Sequence, residues 1–465
     1  ISPRLGFNWD FRGTGESQLR GGAGVFSGAP AFVWYSNAYA NNGLGLVALT
    51  CGQNGVGAAP AFTPDPDNPP LSCASGEAVG SGSLGEIDLI ADDTKFPQVF
   101  RANLAYDRRL PYGIVASVEG LYSKDINQFF IVNRNLLDPA RIDATGRAIY
   151  PGTVDTSGTL SPTYRNLALY GPSFSGGVYE LRNTDAGYSW SMTGQLRKSF
   201  GGSIQASLGY TYSEAYDVQS FTSSRAISNW RFSRMLSGPD LEDNRTRSGF
   251  DRPHRIVGNL TYTIPWSLPT DISFTYIGQS GTPYTLRTGG SSGRGDLNLD
   301  GTNTNDPIYV PAGPGDPNSP YVFADPADEA AFQQYIDGEA CLSEQRGELM
   351  ARNSCRNPWQ NQLDVALRQR LPVLSGDAAF ELQIFNLLRV LDRDWGQVET
   401  VGGGEFFDQE VLTAVNATDE ADAAARKHIV TFNDALLENR FQPVSSNASI
   451  NRSTYYIQAG VRYSF

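Results

Sequence analysis

The residues with the clearest capacity for chemistry form a short acidic motif, Asp296-Leu-Asn298-Leu-Asp300-Gly301. It reproduces positions 1, 3, 5 and 6 of a calcium loop, where alternating oxygen ligands precede a glycine that allows a sharp turn. Calcium takes six to eight oxygen ligands and tolerates irregular geometry. The motif therefore predicts a calcium site, with a polar turn rich in Asp and Asn as the alternative.

The end of the motif departs from the EF-hand pattern. Position 12 is Pro307, and the nearest carboxylate, Asp306, stands at position 11, so the bidentate glutamate is missing. In the calcium hypothesis Thr302 supplies a backbone carbonyl and Asp306 a late carboxylate. We expect the ion to rigidify a loop on the outer surface, with a dissociation constant on the order of 10⁻⁴–10⁻³ M.

The four cysteines form two pairs that are close in sequence, Cys51 with Cys73 and Cys341 with Cys355. Neither pair has CxxC or Cys/His metal spacing, which leaves reduced thiols or disulfides. Loops that face an oxidising environment favour disulfides. We predict both bridges, each stabilising its loop by about 3 kcal/mol in the chain-entropy model.

Little in the sequence supports an enzyme. The two histidines are interpreted as structural, His254 at the start of a strand and His428 at the end of a helix. No HExxH or phosphate-loop motif occurs. We therefore predict no catalytic residues and no cofactor besides calcium. The net charge of −13 argues against a nucleic-acid partner, which would require a basic surface.

The elements that position these residues are strands in which apolar and polar side chains alternate. The last stretch, Thr454–Phe465, has one apolar and one largely polar face, and so do Trp190–Arg197 and Ser203–Tyr212. About ten residues of this pattern suffice to cross a bilayer at a tilt. The predicted strands are Leu5–Phe11, Gln18–Ser27, Gln98–Asp107, Gly113–Ser123, Trp190–Arg197, Ser203–Tyr212, Ile256–Ile264, Asp271–Gln279, Gln360–Leu371, Ala378–Leu388 and Thr454–Phe465.

Short turns and long irregular loops alternate strictly between these strands, which is the asymmetry of an outer-membrane barrel rather than of a soluble sandwich. The 40% hydrophobic content and mean hydropathy of −0.32 exclude a bundle of spanning helices but not a barrel. We predict an all-β fold, a transmembrane antiparallel β-barrel with about eleven strands in residues 1–465. Bacterial barrels have even strand numbers, so we expect the rest of the wall to precede Ile1.

Side-chain positions give further expectations for the wall and loops. Aromatic belts are predicted at Tyr212, Trp266, Tyr276 and Phe465. Loop helices are predicted from Asp325 to Gly338 and from Thr418 to His428. Charged residues of both signs should line the interior: Arg101, Glu119, Arg197, Asp364, Arg368, Glu381 and Arg462.

Several stretches resemble the C-terminal barrel of Oar-like TonB-dependent receptors. They are Asp251-Arg-Pro-His-Arg255, Gly295-Asp-Leu-Asn-Leu-Asp-Gly301, Asn305-Asp-Pro-Ile-Tyr-Val-Pro311, Arg356-Asn-Pro-Trp-Gln-Asn361, Phe385-Asn-Leu-Leu388 and the terminal Tyr463-Ser-Phe465. The resemblance covers most of the chain from about Gln98. It implies the C-terminal half of a barrel of about 22 strands, with an N-terminal plug and an energy-coupling segment that precede this chain.

The resemblance also implies a function, which is energised passage of a substrate through a plugged pore in the bacterial outer membrane. The expected partners are outer-membrane lipid, the plug segment, the TonB complex that contacts it, and a surface lipoprotein on the loops. Long loops would be extracellular and the C-terminus periplasmic. A passive porin and a calcium-binding surface adhesin are the alternatives, and the substrate is not implied.

Overall fold

Strands dominate the computed structural model, which describes residues 2–43, 51–52, 58–74, 86–151, 153–154, 160–161, 177–233, 245–290, 294–372, 377–404, 408–418, 427–444 and 453–464. Within these ranges, eleven strands form one continuous antiparallel wall, each paired with its neighbours in chain order. They are β1 (Arg4–Asp10), β2 (Ser17–Ser27), β3 (Gln98–Arg109), β4 (Val115–Asn133), β5 (Tyr188–Phe200), β6 (Ile204–Asp217), β7 (His254–Ile264), β8 (Thr270–Gln279), β9 (Gln360–Leu371), β10 (Asp377–Phe385) and β11 (Tyr456–Ser464).

The pairing register explains why the alternating sequence gives a wall with two different faces. Leu196 of β5 lies opposite Leu208 of β6, and Arg197 lies opposite Ser207. Because successive side chains of a strand point to opposite faces, this register keeps leucine beside leucine and polar beside polar. The all-β antiparallel fold and its number of wall strands are confirmed.

The connections alternate between short turns at one end of the wall and long loops at the other. The β5–β6 turn is the tightest, and Gly201 and Gly202 in it have φ angles of 58° and 83°. Those values lie in the left-handed region that glycine adopts without strain. The short turns are 11–16, 110–114, 201–203, 265–269 and 372–376, and the long connections are 28–97, 134–187, 218–253, 280–359 and 386–455.

The long connections are not irregular, as the sequence had suggested, but contain packed elements that we call the loop layer. Its helices are α1 (Phe32–Ala40), α2 (Ala226–Ser233), α3 (Pro326–Asp337), α4 (Ala340–Ser343), α5 (Leu387–Leu391) and α6 (Ala435–Glu438), and a 3₁₀ turn, Pro111–Gly113, lies at the other end of the wall. Its strands are Ile87–Ile90, Arg141–Ile142, Ala148–Ile149, Thr153–Val154, Leu160–Ser161, Val178–Thr184, Thr246–Arg247, Pro283–Gly289, Tyr309–Val310, Tyr321–Phe323, Glu348–Leu349, Cys355–Arg356, Glu399–Val401, Asp408–Ala417, His428–Phe432 and Phe441–Pro443. No helix in the described ranges is long and apolar enough to cross a membrane.

A five-stranded sheet organises the largest part of the loop layer. Its strand order is Tyr321–Phe323, His428–Phe432, Asp408–Ala417, Pro283–Gly289 and Cys355–Arg356, so the two connections 280–359 and 386–455 share one sheet. The apolar side chains on and around it are buried: Leu286, Ile308, Phe332, Val411 and Val430 are all 0% exposed. The sheet is therefore held by a hydrophobic core of its own, separate from the wall.

Two wall strands differ from the prediction for physical reasons. β4 was expected to end at Ser123 but continues to Asn133, and its last residues pair with Val178–Thr184 in the loop layer. Residues Phe129 to Val132 are buried, so the alternation that marks a half-exposed strand is absent there. β10 was expected to reach Leu388 but ends at Phe385, because Asn386 has a left-handed φ of 55° and α5 follows.

The predicted loop helices have different outcomes. The helix α3 begins and ends as predicted: Asp325 caps it by accepting a hydrogen bond from the Ala327 N–H (2.8 Å), and Gly338 stops it. Most of the second predicted helix, residues 419–426, lies outside the described residues. His428 is not at a helix end, because it begins the strand His428–Phe432, where it is partly buried.

Candidate functional site

One face of the wall carries an apolar band that is exposed across neighbouring strands. Leu196, Leu208 and Leu260 are 49%, 55% and 42% exposed, although leucine normally avoids water. The same band includes Leu104, Val118, Phe274 and Val461. A continuous apolar face of this size on a sheet indicates contact with the hydrocarbon of a bilayer.

Aromatic side chains border this band on the side of the loop layer, and their polar tips are hydrogen-bonded. The Tyr212 hydroxyl and the Trp190 indole N–H donate to Glu214 at 2.8 Å and 3.3 Å. The Tyr210 hydroxyl lies 2.7 Å from Nδ1 of His254, the first residue of β7. An apolar ring with a satisfied polar tip suits the membrane boundary.

The other predicted belt residues lie at both borders. The Tyr276 hydroxyl and the Trp359 indole N–H both donate to Oδ1 of Asn361, at 2.7 Å and 3.0 Å, near the loop layer. Trp266 is 58% exposed in the short turn between β7 and β8, at the opposite border. Phe465 lies outside the described residues.

The opposite face of the wall is polar and carries ion pairs that cross strands. Arg20 of β2 lies 2.8 Å from Asp107 of β3 and 3.0 Å from Glu119 of β4. Arg368 of β9 lies 3.6 Å from Glu381 of β10. The remaining predicted interior residues share this face: Arg101, Arg197, Asp364 and Arg462. A charged face behind a lipid-facing one is the lining of a water-accessible interior.

A cavity of about 420 Å³ opens where the polar face meets the loop layer. Its polar lining is rich in amides: Arg252, Gln279, Gln360, Gln362, Asn386 and Thr454. Two rings, Phe385 and Tyr456, stack beside it with centroids 4.1 Å apart. The arrangement offers amide donors and acceptors, one guanidinium and an aromatic surface, which suits a neutral polar ligand rather than a strongly charged one.

Asp251, which sequence reasoning treated only as part of a family motif, joins the wall to the loop layer. Its carboxylate is 1% exposed and accepts hydrogen bonds from Arg247 (2.8 Å), Arg356 (2.7 Å) and the Ala215 N–H (2.9 Å). These partners belong to β6 and to two different long connections. The only sequence signal for this network was the motif Asp251–Arg255 itself.

The acidic motif folds into a tight loop stabilised by its own side chains. Asp296 accepts hydrogen bonds from the N–H groups of Asp300 (3.0 Å) and Gly301 (2.8 Å), and Asp300 accepts one from Thr302 (3.0 Å). The backbone carbonyl of Asn298 accepts a hydrogen bond from the backbone N–H of Tyr150 (2.8 Å). All five predicted ligands are at most 6% exposed, so they are buried inside the loop layer.

Asp306, the last predicted ligand, is engaged by another connection. Arg147 lies 2.7 Å from one carboxylate oxygen, and the Leu297 N–H donates to the other at 3.0 Å. Burial raises the pKa of Asp306 to about 7 and that of Asp300 to about 6, and it raises the pKa of Asp296 well above its ordinary value. The three carboxyl groups therefore resist ionisation unless a cation accompanies them.

In protein stripped of divalent cations, the Asp300→Asn variant should be more stable than the wild type at pH 8. A carboxyl group whose pKa is raised on folding destabilises the fold above that pKa, and the penalty disappears as pH falls towards its unfolded value near 4. The difference between the two melting temperatures, measured in chelator, should therefore shrink from pH 8 to pH 5. A difference that grows on acidification would contradict the burial of an ionised Asp300.

The structure contains both disulfides, Cys51–Cys73 and Cys341–Cys355. The second one joins α4 to the edge strand Cys355–Arg356 of the five-stranded sheet. It therefore links a helix to the sheet that carries the largest core of the loop layer.

Replacing Cys341 and Cys355 together by alanine should lower the stability of the loop layer by about 3 kcal/mol, because the open loop gains unfolded-state entropy. Hydrogen exchange in the connection 280–359 would measure the loss. The matched Cys51→Ala, Cys73→Ala protein should leave that connection unchanged. Non-reducing peptide mapping that finds free thiols or crossed pairs would contradict both bridges.

These features together define a class of protein. A wall of antiparallel strands with an apolar outward band, aromatic borders and a charged inner face is that of an outer-membrane β-barrel. The chain belongs to the outer membrane beta barrel domain family, which matches residues 1–390. No curated protein matches its sequence.

Several solved structures resemble the chain at low identity. The outer membrane transporter YddB from Escherichia coli is 10% identical, with a TM-score of 0.43 over 92% of this chain and 39% of its own. A ferric enterobactin receptor (PfeA) mutant from Pseudomonas aeruginosa is 11% identical, with a TM-score of 0.37 over 83% and 34%. The FrpB iron transporter from Neisseria meningitidis is 11% identical, with a TM-score of 0.32 over 83% and 34%. The chain thus spans little more than a third of the length of these proteins.

Proposed function

We propose that the chain is part of the wall of an Oar-like TonB-dependent receptor, which moves a substrate through a plugged pore in the outer membrane. The observation that supports this best is the charged inner face beneath a packed loop layer. A passive pore needs an open mouth, whereas here the long connections 280–359 and 386–455 share a sheet and a core. Long connections that are packed together in this way suit a receptor that captures its substrate before passage.

In this proposal the loop layer is extracellular, and the short turns and the C-terminus are periplasmic. The asymmetry supports this orientation, since barrels of this class have short periplasmic turns and longer outer loops. The amide-lined cavity would then lie on the route from the outer loops to the interior. Gln279, Gln360 and Gln362 are positioned there to contact a substrate or the plug.

The proposed partners follow from this arrangement. Lipid would cover the apolar band, and a plug segment supplied by sequence outside this chain would contact the ion pairs of the inner face. TonB would engage that segment from the periplasm. A surface lipoprotein could then rest on the loop layer, where it would cover the entrance.

Electrical conductance of the intact protein in planar bilayers tests the plugged pore without knowledge of the substrate. With potassium chloride as the probe, we expect no steady conductance. The purified periplasmic domain of TonB should bind the same preparation in detergent. A steadily open channel that does not bind TonB would contradict the proposal and favour a passive porin.

A further inference from the structure

The interior of the loop layer contains more negative than positive charge. Asp296, Asp300 and Asp306 are each at most 2% exposed, and within the described residues the only ion pair to any of them is from Arg147 to Asp306. Three carboxylates and one guanidinium leave a net charge of −2 when all are ionised. Buried charge requires an opposite charge or a bound cation to offset the loss of hydration.

The uncompensated charge lies on Asp296 and Asp300. Asp306 has its guanidinium partner, whereas the other two carboxylates accept only from neutral groups, namely backbone N–H groups and amide side chains. Oδ1 of Asn298 lies 2.9 Å from the same Asp300 N–H that Asp296 binds. Carboxylate and amide oxygens are therefore gathered within one turn of chain.

Asn305 provides an independent indication of a ligand. Its side chain is 3% exposed, and its Nδ2 donates to Asp300 at 2.8 Å, so the amide is directed into the acidic loop. Its Oδ1, in contrast, has no hydrogen-bond partner in the part of the chain that the structure describes. A buried amide oxygen without a partner is unfavourable and calls for a ligand such as an ion.

We propose that Asp296 and Asp300, with the amide oxygens of Asn298 and Asn305, bind one calcium ion that locks the loop layer. In the described residues no three acidic, histidine or cysteine side chains converge as a metal site, so neutral oxygens complete the shell. The backbone carbonyl of Thr302 and water are the remaining donors. Asp306 is left out, because Arg147 neutralises it.

The ligand chemistry selects calcium among the common cations. Every donor is an oxygen, which disfavours zinc and copper, since these prefer nitrogen and sulfur ligands. Magnesium demands a near-ideal octahedron, whereas calcium accepts six to eight oxygens in irregular geometry. A loop that mixes two carboxylates with amide and backbone oxygens suits the larger ion.

The position of the loop gives the ion a structural role. Arg147 and Tyr150 belong to the connection 134–187, and both contact the acidic loop of the connection 280–359. An ion that fixes the shape of the acidic loop therefore fixes the junction of two connections. This inference does not depend on what the barrel transports.

Calorimetric titration of calcium chloride into the chelator-stripped intact protein tests the proposal. We expect one ion per chain, with a dissociation constant on the order of 10⁻³ M or lower, and weaker binding of magnesium chloride. Asp300→Asn should weaken calcium binding at least about tenfold, because it removes one ligand charge. The control Asp325→Asn changes a carboxylate of the same connection that caps α3, a position where asparagine serves as well as aspartate.

A second measurement needs no variant. Hydrogen exchange at residues 294–310 of the wild type should slow when calcium is added and should not slow with magnesium at the same concentration. Absence of calcium uptake by the wild type, or equal binding by Asp300→Asn and Asp325→Asn, would overturn the proposal. Equal protection by the two metals would overturn the assignment to calcium.

Discussion

Asp251→Ala is expected to destabilise the protein by about 3 kcal/mol, because it leaves two guanidinium groups beside a buried site without their carboxylate. Arg247 and Arg356 both lie within 2.8 Å of this carboxylate. Their side chains are 31% and 26% exposed, which places the effect at the lower end of the range for buried pairs. Urea unfolding of the intact protein in lipid vesicles would measure it.

The control for this variant is a surface ion pair of the same type. Asp394→Ala removes the partner of Arg393, where the closest approach is 3.7 Å and the carboxylate side chain is 73% exposed. Surface pairs of this kind contribute about 0–1 kcal/mol. Equal losses of unfolding free energy in the two variants would mean that the contacts of Asp251 do not stabilise the junction between the wall and the loop layer.

Leu208→Arg is expected to destabilise the folded wall by about 2–4 kcal/mol, because it places a charge in the hydrocarbon near the middle of β6. Leu208 is 55% exposed on the apolar band and pairs with Leu196 on one side and Gly258 on the other. Resistance of the folded band to heat in SDS gel electrophoresis, and urea titration in lipid vesicles, would both report the loss.

The neighbouring residue provides a control in the same strand. Ser207 pairs with Arg197 and Asn259 on the polar face, so Ser207→Arg adds the same side chain where water is accessible. We expect a much smaller effect there. Equal destabilisation by the two arginines would reject the assignment of the two faces.

The wall could be predicted from sequence because each strand is exposed on one side to lipid and on the other to water. Thr454–Phe465 and Ser203–Tyr212 show the alternation that this environment imposes, and their predicted strands correspond to β11 and β6. In β4 the alternation stops at the point where the strand enters the loop layer. A strand that is buried on both sides does not show the alternation of apolar and polar residues by which a strand is recognised in the sequence.

The loop layer could not be predicted for the same reason. Pro283–Gly289 and Asp408–Ala417 pair in parallel across a long stretch of sequence, and every residue of the two strands is buried or half-buried. Neither the pairing nor the shared core leaves a local pattern in the chain. The helix α3 was recognisable because its capping residues are local signals.

The candidate sites were also predictable only in part, because local spacing is visible in the sequence and contacts between distant segments are not. The spacing of Asp296, Asn298 and Asp300 was visible in the sequence, and the structure brings these residues together in one turn. Their burial was not visible, since it depends on Arg147 from another connection. The role of Asp251 was missed because a single carboxylate in the sequence does not indicate which arginines the fold brings close to it.

The sheet shared by two connections also dictates an order of assembly. Leu286 lies beside Gln409, and the chain between them includes β9 and β10, which must cross the membrane before the two strands can meet. Contacts so distant in sequence form slowly, because a long loop has to close first. The five-stranded sheet can therefore be completed only after β9 and β10 are in place. Until β10 is inserted, the strand Pro283–Gly289 lacks the strand Asp408–Ala417 with which it pairs.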